Sequence, residues 1–419
     1  MTSSKPNVSV NGRDYHWPQN PLVVVCIDGS EPDYIEQAIA AGVMPWMKKV
    51  VEGQGIDLRA KCVVPSFTNP NNISIVTGVA PNVHGICGNF YYDRENDAEV
   101  MMNEPHLLRI PTIFKAFQDE GAKIAVVTAK DKLRRLLGNE LRFGSDGAIC
   151  FSSEKSDQVS LAENGIDNVL DLVGLPVPSV YSADLSEFIF AAGVKLMESV
   201  RPDLMYLSTT DYIQHKFAPG SDGANSFYAM MDGYWAQLDA LGATIALTAD
   251  HGMNAKHDAA SGQPNIIYLQ DEMDRILSPG AARVILPITD PYVVHHGALG
   301  SFATVYLADD ADIASIKSEL AAIDGIESVY DNQQGCEYFE LANDRMGDLI
   351  LVSEINTVLG TTADRHDLSG LEVPLRSHGG VTEQTVPLIV SQPVSGLDKT
   401  HVLRNFDIFN VALNHANHS

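Results

Sequence analysis

Short, uninterrupted apolar runs recur along the chain. They are rich in β-branched residues and are bounded by polar residues or glycine, the pattern of strands that are buried on both faces. The clearest runs are Leu22 to Ile27, Lys123 to Thr128, Leu204 to Leu207 and Thr244 to Thr248. Amphipathic stretches such as Tyr34 to Val51 and Leu185 to Val200 lie between them. This alternation predicts an open α/β sheet with mostly parallel strands.

The pattern changes from about Ser301 to Ser353. A strand-like run, a helical stretch and two more strand-like runs follow one another there, as in a small βαββ unit. We therefore expect an inserted α+β cap at residues 296–353 and an α/β core made of residues 21–295 and 354–419. The first dozen residues have the composition of a disordered tail.

Charge and cysteine content exclude some classes of function. A formal net charge of -26 disfavours contact with nucleic acids and acidic membranes. The five cysteines lack CxxC spacing, which argues against a disulfide framework. Neither a signal-peptide pattern nor an apolar run of about 20 residues is present. We expect a cytoplasmic protein, and a homodimer is compatible with the sequence.

Polar residues follow the predicted strands at the edge where open α/β sheets bind ligands. Asp211 and His215 are four residues apart, which on a helix places both on one face. His378 lies in a glycine-bounded loop, where the backbone can approach a ligand closely. Carboxylate and imidazole ligands suit zinc or manganese. The candidate metal ligands are Asp28, Asp211, His215, Asp250, His251 and His378.

Each of these motifs also has an ordinary structural explanation. An isolated DxxxH is commonly a coincidence on a helix face, and Asp28-Gly29 alone is commonly a turn at a strand end. The adjacent Asp250 and His251 could serve two metals, or one metal in a bent turn. The metal hypothesis is favoured because all the motifs lie at one predicted edge of the sheet. Two metals roughly 3.5–4 Å apart would suit an in-line displacement at phosphorus.

A candidate nucleophile lies in the segment VPSFTNPNNISIVTG. Thr68 precedes a predicted helix N-terminus, which stabilises an anion. Coordination to a divalent metal would make its hydroxyl nucleophilic near neutral pH. Without the metal motifs, the residue would be interpreted as a helix N-cap.

Taken together, these motifs resemble those of the alkaline phosphatase superfamily, in its nucleotide pyrophosphatase/phosphodiesterase-like branch. The matching motifs, in the order of the family, are CIDGSEPDYI, AGVMPWMKKV, VPSFTNPNNISIVTG, PNVHGI, TADHGM and SHGG. The resemblance implies a three-layer α/β sandwich with a mostly parallel central sheet. It also implies two Zn²⁺ per chain, with Mn²⁺ or Fe²⁺ as alternatives.

The resemblance further implies residue roles. One zinc would be held by Asp28, Thr68, Asp250 and His251, and the other by Asp211, His215 and His378. Thr68 would be phosphorylated during catalysis. Asn89 would donate a hydrogen bond to a phosphoryl oxygen, although a turn residue after Gly88 is the alternative.

The segment TAKDKLRRLLG brings four cations to the active edge of an acidic protein. A solvated helix start would explain it, but it resembles the segment of superfamily members that act on phosphonoacetate. That likeness implies that Lys130 and Lys132 meet the substrate carboxylate, with His215 also at the substrate. Carbon–phosphorus cleavage expels a carbanion, whose charge an adjacent carboxylate can accept. We expect hydrolysis of phosphonoacetate, a small-molecule phosphonate, to acetate and phosphate.

Other functions share the same metal ligands. A phosphodiesterase or nucleotide pyrophosphatase would use aromatic side chains to stack a base, for which Phe90, Tyr91 and Tyr92 are candidates. A metal-dependent mutase ranks third, because the predicted cap is short. A catalytically silent protein would have lost ligands, and none is missing. His257, His295 and His296 have no assigned role.

Overall fold

The computed structural model describes residues 5–53, 55–288 and 297–417. The strands are β1 Val8–Val10, β2 Arg13–Tyr15, β3 Leu22–Cys26, β4 Ile56–Lys61, β5 Phe90–Asp93, β6 Ala98–Met101, β7 Ile124–Thr128, β8 Ile149–Ser152, β9 Leu204–Ser208, β10 Thr244–Thr248, β11 Asn254–Ala255, β12 Ile266–Tyr268, β13 Ala282–Ile285, β14 Phe302–Leu307, β15 Ile326–Asp331, β16 Leu349–Ser353, β17 Val358–Gly360, β18 Arg376–Ser377 and β19 Thr385–Val390.

The α-helices are α1 Pro32–Ala40, α2 Pro45–Glu52, α3 Thr68–Thr77, α4 Pro81–His84, α5 Ile113–Asp119, α6 Asp131–Leu137, α7 Leu161–Asn164, α8 Val169–Val173, α9 Asp184–Ser199, α10 Tyr212–Lys216, α11 Asp222–Ala240, α12 Leu269–Ile276, α13 Ile313–Ala321, α14 Asn332–Phe339 and α15 Ile408–Asn410. Among the described residues, no helix has both the length and the apolar character needed to cross a bilayer.

A mixed sheet forms the centre of the molecule. Within the described ranges, seven strands follow one another in the order β4-β19-β10-β3-β9-β7-β8. The five strands from β10 to β8 are mutually parallel, whereas β19 is antiparallel to both of its neighbours. The predicted mostly parallel sheet is confirmed, and the four apolar runs of the sequence form its central strands.

Alternate residues of the central strands enter two separate cores. Val23 and Val25 pack with helices α1, α2, α9 and α11 on one face of the sheet. Leu22 and Val24 pack with helices α3, α5 and α6 on the other face. Because both faces are covered, the strands need apolar residues at every position. The predicted three-layer α/β arrangement is thereby confirmed.

The parallel register brings distant segments to one edge of the sheet. Cys26 at the end of β3 pairs with Ser208 at the end of β9 and with Thr248 at the end of β10. Asp28 and Asp250 each lie two residues beyond their strand, and Asp211 lies three residues beyond β9. Ligand sites in open α/β sheets are built at this edge.

A second sheet is antiparallel and separate from the central sheet. Among the described residues it has four strands in the order β13-β14-β16-β15. The predicted strand–helix–strand–strand pattern corresponds to β14, α13, β15 and β16, but helix α14, which was not predicted, lies between β15 and β16. Strand β13 extends the sheet to residues before 296. Residue 296, the predicted start of the cap, lies outside the described ranges. The division into core and cap therefore stays a prediction.

Two expectations for the N-terminal region are wrong. The first dozen residues are not simply a tail, because Val8–Val10 and Arg13–Tyr15 form an antiparallel hairpin whose Tyr15 side chain is buried in the core. The stretch from Tyr34 to Val51 is two helices. The break falls at Gly42, which has a φ of 76°, and at Pro45, which begins the second helix.

Asp232 of α11 provides a test of the core that does not involve the candidate site. Its buried carboxylate accepts the backbone N–H groups of Trp46 at 3.0 Å and Met47 at 2.7 Å, at the start of α2. We expect Asp232→Asn to lower the free energy of unfolding by about 1–2 kcal/mol, because an amide can accept only one of these bonds well. Urea unfolding measures the change. Glu52→Gln, at the exposed C-terminal end of α2, should change the free energy of unfolding by less than about 0.5 kcal/mol.

Candidate metal centre

The first group of candidate ligands is Asp28, Asp250 and His251. One ligand atom from each lies within 4.8 Å of the others, and all three residues are buried. Asp28 Oδ1 and His251 Nε2 are 3.3 Å apart. Neither atom has a hydrogen-bond partner of good geometry among the described residues. Buried polar atoms of this kind usually have partners, so these two atoms fit a divalent cation between them.

The second group is Asp211, His215 and His378, which meet the same distance criterion. Asp211 begins α10 and His215 lies one turn later, with Nε2 2.9 Å from Asp211 Oδ2. His378 follows β18, and its Nε2 is 3.7 Å from the same oxygen. The predicted placement of Asp211 and His215 on one helix face therefore agrees with the structure.

Gly29 allows the two groups to come close. Its φ of 72° lies in the left-handed region. A Cβ at this position would lie 3.1 Å from the Cβ of Asp211, which is tighter than most such contacts. The residue after Asp28 must therefore be small for the segments of the first and second groups to pack against each other.

The backbone fixes the orientation of the three imidazoles. In each ring, Nδ1 is hydrogen-bonded to a carbonyl oxygen, so Nδ1 carries the proton and Nε2 can bind a metal. The bonds run from His215 to Arg376 O at 2.8 Å, from His251 to Gly252 O at 2.9 Å, and from His378 to Ser66 O at 2.7 Å. The Nε2 atom of each ring lies near a carboxylate oxygen of the two ligand groups.

The two groups share a pair of stacked rings. The imidazoles of His251 and His378 lie with centroids 3.6 Å apart and planes within 7° of parallel. Burial lowers the pKa of His251, but the carboxylates of Asp250, Asp28 and Asp211 outweigh it and raise that pKa to about 10. Burial and the charge of His251 hold the pKa of His378 well below its usual range. The positive charge of one ring therefore disfavours protonation of the ring stacked on it.

Negative charge is concentrated in the cluster. Burial, and then the carboxylates of Asp250 and Asp211, raise the pKa of Asp28 well above its usual value. Burial also raises the pKa of Asp250. Carboxylates in this situation are stabilised by a bound cation. Oxygen and neutral imidazole donors suit Zn²⁺ or Mn²⁺, so the residues present fit the metals that the sequence predicts.

Thr68 lies at the first position of α3, and its side chain is half-buried. Phe67 occupies the N-cap position, so the alternative interpretation of Thr68 as an N-cap is not what the structure has. Asn89 is next to this helix end, because its Oδ1 accepts the backbone N–H of Asn69 at 3.1 Å. Its amide nitrogen donates to Ile288 O. The hydroxyl and the amide thus lie at the same helix terminus.

Sequence reasoning missed three residues that hold the candidate ligands in place. Asn72 Nδ2 donates to Asp250 Oδ2 at 3.2 Å. Ser66 Oγ accepts the N–H of Gly379 and donates to Gly380 O, both at 2.9 Å, and so fixes the loop of His378. Arg376 fastens α10 through Gln214 O at 2.9 Å. Their only sequence signal was proximity to the motifs, because their partners are distant in the chain.

The cations of the 130–135 segment differ in their contacts. Arg134 pairs with Asp131 at 2.6 Å, and Arg135 with Glu104 at 3.1 Å. Lys130 donates to Val180 O at 3.3 Å. Burial lowers the pKa of Lys132, Glu154 offsets part of this effect, and the charge of Lys130 adds to it. A carboxylate placed between the two ammonium groups would therefore be favoured electrostatically.

A cavity of about 250 Å³ lies beside His215 of the second ligand group. It is lined by His215, Tyr181 and Tyr212 together with the 370–376 segment. The ammonium of Lys130 lies 5.7 Å from the centre of the Tyr181 ring. His257 belongs to neither ligand group and has Nδ1 3.1 Å from Asp258 O. His295 and His296 lie outside the described residues.

Comparison with known proteins assigns the family. The model of the type I phosphodiesterase/nucleotide pyrophosphatase family matches residues 22–380, which include every candidate ligand. The chain belongs to this family. The resemblance to the nucleotide pyrophosphatase-like branch of the alkaline phosphatase superfamily is therefore confirmed.

Two crystal structures agree with this family member over nearly its whole length. They are of phosphonoacetate hydrolase from Sinorhizobium meliloti 1021, in complex with phosphonoacetate and with phosphonoformate. Each has a TM-score of 0.95 and 58% identity, and covers 99% of this chain and 100% of its own. Murine ectonucleotide pyrophosphatase/phosphodiesterase 5 has a TM-score of 0.62 and 16% identity over 96% of this chain and 98% of its own, which shows a shared fold.

Curated family relatives match shorter stretches. An uncharacterized pyrophosphatase/phosphodiesterase of Schizosaccharomyces pombe is 23% identical over 223 residues, or 51% of this chain and 39% of its own length. The bis(5'-adenosyl)-triphosphatase of Xenopus laevis is 32% identical over 85 residues, or 20% of this chain and 18% of its own. The chain thus spans well under half the length of these relatives.

Asp28 gives a test in which the metal-free and metal-loaded proteins respond in opposite directions. Its raised pKa means that its ionised form destabilises the metal-free fold near neutral pH, where an unfolded aspartate is charged. We expect Asp28→Asn to stabilise the metal-free protein by about 1 kcal/mol. Saturating Zn²⁺ should stabilise the unsubstituted chain by roughly 2.7 kcal/mol per ion at a hundredfold excess over Kd, and the variant by less.

Urea unfolding with chelator and with excess Zn²⁺ measures both effects. Asp310→Asn changes an exposed aspartate in the turn after β14 and serves as the control, with neither stability altered. An Asp28→Asn protein that is less stable without metal and gains as much from zinc would contradict the role of this carboxylate.

Proposed function

We propose that the chain hydrolyses the carbon–phosphorus bond of phosphonoacetate to acetate and phosphate, with two Zn²⁺ per chain. The observation that carries the proposal is its 58% identity, over 99% of its length, to a phosphonoacetate hydrolase with phosphonoacetate bound. The two adjacent groups of potential ligands support it independently. A phosphorus-centred dianion is the kind of substrate that two adjacent cations clamp.

In this proposal Asp28, Thr68, Asp250 and His251 hold one ion, and Asp211, His215 and His378 hold the other. When bound, the ions would polarise the phosphonate oxygens and lower the pKa of the attacking hydroxyl. Mn²⁺ or Fe²⁺ would fit the same donors. The Nδ1 hydrogen bonds support the assignment, because they leave Nε2 as the metal-binding nitrogen of each ring.

Thr68 Oγ1 attacks phosphorus. Its place at the first turn of α3 favours the anionic form, because the N-terminus of a helix carries partial positive charge. The new O–P bond forms as the P–C bond breaks, and water later displaces Thr68 from phosphorus to release phosphate. The Oδ1 of Asn89 accepts the N–H of Asn69 and its amide donates one hydrogen to Ile288 O, which leaves the second amide hydrogen for a non-bridging phosphoryl oxygen. Oriented donors of this type stabilise developing charge.

The leaving group determines the role of the lysines. The electron pair of the broken P–C bond remains on carbon, spreads into the carboxylate as an enolate-like dianion, and accepts a proton to give acetate. Lys130 and Lys132 bind that carboxylate more strongly as its charge increases, which lowers the barrier. The cavity beside His215 and Tyr181 supports this placement, because Tyr181 also contacts Lys130.

Two of the three aromatic residues that could stack a nucleotide base are already covered. The guanidinium of Arg345 lies 4.6 Å from the centre of the Tyr91 ring, and that of Arg283 lies 4.0 Å from the centre of the Tyr92 ring. Stacking a base on these ring faces would require the arginines to move away. A small phosphonate therefore suits the described site better than a nucleotide diester.

The proposal includes a cytoplasmic location. All five cysteines are buried and free, which suits a reducing compartment. A homodimer stays a prediction of the sequence.

The nucleophile is tested with Thr68→Ala. We expect a loss of kcat of at least about 10³-fold on phosphonoacetate, since no other hydroxyl replaces Thr68, while most of the bound zinc is retained. Phosphate release and the zinc content of the purified protein are measured together. Thr68→Ser keeps the hydroxyl and should retain far more activity. Turnover near that of the unsubstituted chain in Thr68→Ala would exclude Thr68 as the nucleophile.

The substrate is tested with Lys130→Met and Lys132→Met. Loss of one charge-assisted hydrogen bond to the carboxylate should lower kcat/KM for phosphonoacetate roughly 10–100-fold, with little effect on a nitrophenyl phosphate that has no carboxylate. Arg135→Met, on the exposed side of the same helix, is the matched control. Equal losses on both substrates would mean that the lysines are structural. Faster turnover of a nitrophenyl phosphodiester than of phosphonoacetate by the unsubstituted chain would overturn the substrate assignment.

A further inference from the structure

We infer that the buried ion pair of Lys256 and Glu383 is a positioning device that sets the spacing between the two metal sites. It would do so by fastening the loop of His378 to the segment that follows His251. The inference rests on the proposed function, because it takes the two ligand groups to be metal sites. Neither residue belongs to a ligand group, so neither is assigned a catalytic role.

The two segments that the pair joins run side by side. Strand β11 follows the first ligand group, and β18 precedes His378. The strands pair in antiparallel fashion, with Asn254 opposite Ser377. Only two residues of each strand take part, which is little for a connection between two catalytic loops. Contacts other than these two residue pairs must therefore hold the loops in register.

Glu383 supplies those contacts. Its Oε1 accepts hydrogen bonds from Lys256 Nζ at 2.9 Å, Asn254 Nδ2 at 2.7 Å and Thr382 Oγ1 at 2.6 Å. Its Oε2 accepts the backbone N–H of Gly380 at 2.9 Å. The carboxylate thus binds one segment through Lys256 and Asn254 and the other through Gly380, two residues beyond His378.

The main chain of Glu383 adds a direct link to the first ligand group. Its carbonyl oxygen accepts the N–H of Gly252 at 2.7 Å, and Gly252 is next to His251. A Cβ on Gly252 would lie 3.2 Å from this oxygen, and a Cβ on Gly380 would lie 3.3 Å from Glu383 Oε2. Glycine at both positions permits these approaches. Glu383 therefore contacts the backbone near both stacked histidines, at Gly252 and at Gly380.

Lys256 has a second hydrogen-bond acceptor, which lies next to the second sheet. Its ammonium donates to Ile355 O at 2.7 Å, just after β16, so the ion pair also ties the catalytic loops to the second sheet. Both side chains are completely buried. Burial raises the pKa of Glu383, but the charge of Lys256 and the hydrogen bonds from Thr382, Asn254 and Lys256 outweigh it, and the pKa is lowered overall.

A buried ion pair is a poor source of stability but a strict geometric constraint. Removing two charges from water costs about as much as their attraction returns, so apolar residues of similar size usually stabilise a fold equally well. Loss of one partner, however, leaves the other charge buried and its neighbours without hydrogen bonds. The pair therefore suits a place where the position of two loops matters more than the total stability.

The test uses the full chain with Co²⁺, which reports coordination through its visible absorption. The unsubstituted chain should bind two ions. In Glu383→Gln, Gly380 N loses its charged acceptor, so the site that contains His378 should bind its ion at least about tenfold more weakly. Its absorption bands should also change, whereas the ion held by the Asp250 and His251 site should bind within about threefold of normal. Zinc competition against a chromogenic chelator gives the same two affinities independently.

Two further variants separate positioning from general destabilisation. Asp232→Asn also disturbs a buried carboxylate, and it should lower the melting temperature without changing either affinity or the Co²⁺ spectrum. Asn254→Ala removes one neutral donor to Glu383 and serves if Glu383→Gln does not fold, with the same selective loss expected at smaller size. Binding of both ions in Glu383→Gln as in the unsubstituted chain, or equal weakening of both, would overturn the inference. An unsubstituted chain that binds fewer than two ions would overturn the proposed function itself, and the inference with it.

Discussion

Three carboxylates lie together at the carboxyl edge of one parallel sheet, and the surrounding structure is arranged around that charge. Burial, and then the charges of Asp250 and Asp211, raise the pKa of Asp28, so ionising this carboxyl costs free energy in the fold without cations. A cation that is bound during function offsets this electrostatic cost. The strands, the short helix α10 and the glycine turn after Asp28 bring these groups together, and the histidines complete two ligand groups around them.

The imidazoles depend on the backbone for their orientation. Each Nδ1 is hydrogen-bonded to a carbonyl oxygen, and these carbonyls belong to Ser66, Gly252 and Arg376. The loop of His378 is constrained on one side by Ser66 and on the other by Ser301, whose N–H donates to His378 O at 2.9 Å. The ligands therefore depend on elements from the core and from the beginning of the second sheet, which makes their positions a property of the whole fold.

Much of the core and of the candidate site follows from local patterns in the sequence. Apolar runs located the central strands, because a strand buried on both faces must be apolar throughout. Polar residues after those strands located the candidate ligands, since parallel strands place their carboxyl ends together. Other features depend on distant partners. Nothing near Glu383 in the sequence indicates Lys256, and the pairing of β13 with β14 lies outside the motif that predicted the cap.

Chain order adds a consequence for biosynthesis. The first ligand group is complete once residue 251 has been made, whereas the second requires His378, which lies much later in the chain. Strand β19, which lies between β4 and β10 in the central sheet, is made later still. A nascent chain emerging from the ribosome can therefore complete one ligand group before the other, and the central sheet closes only after β19 has been made. Loading of the second site is thus expected to accompany the later folding of the segments that contain His378 and β19.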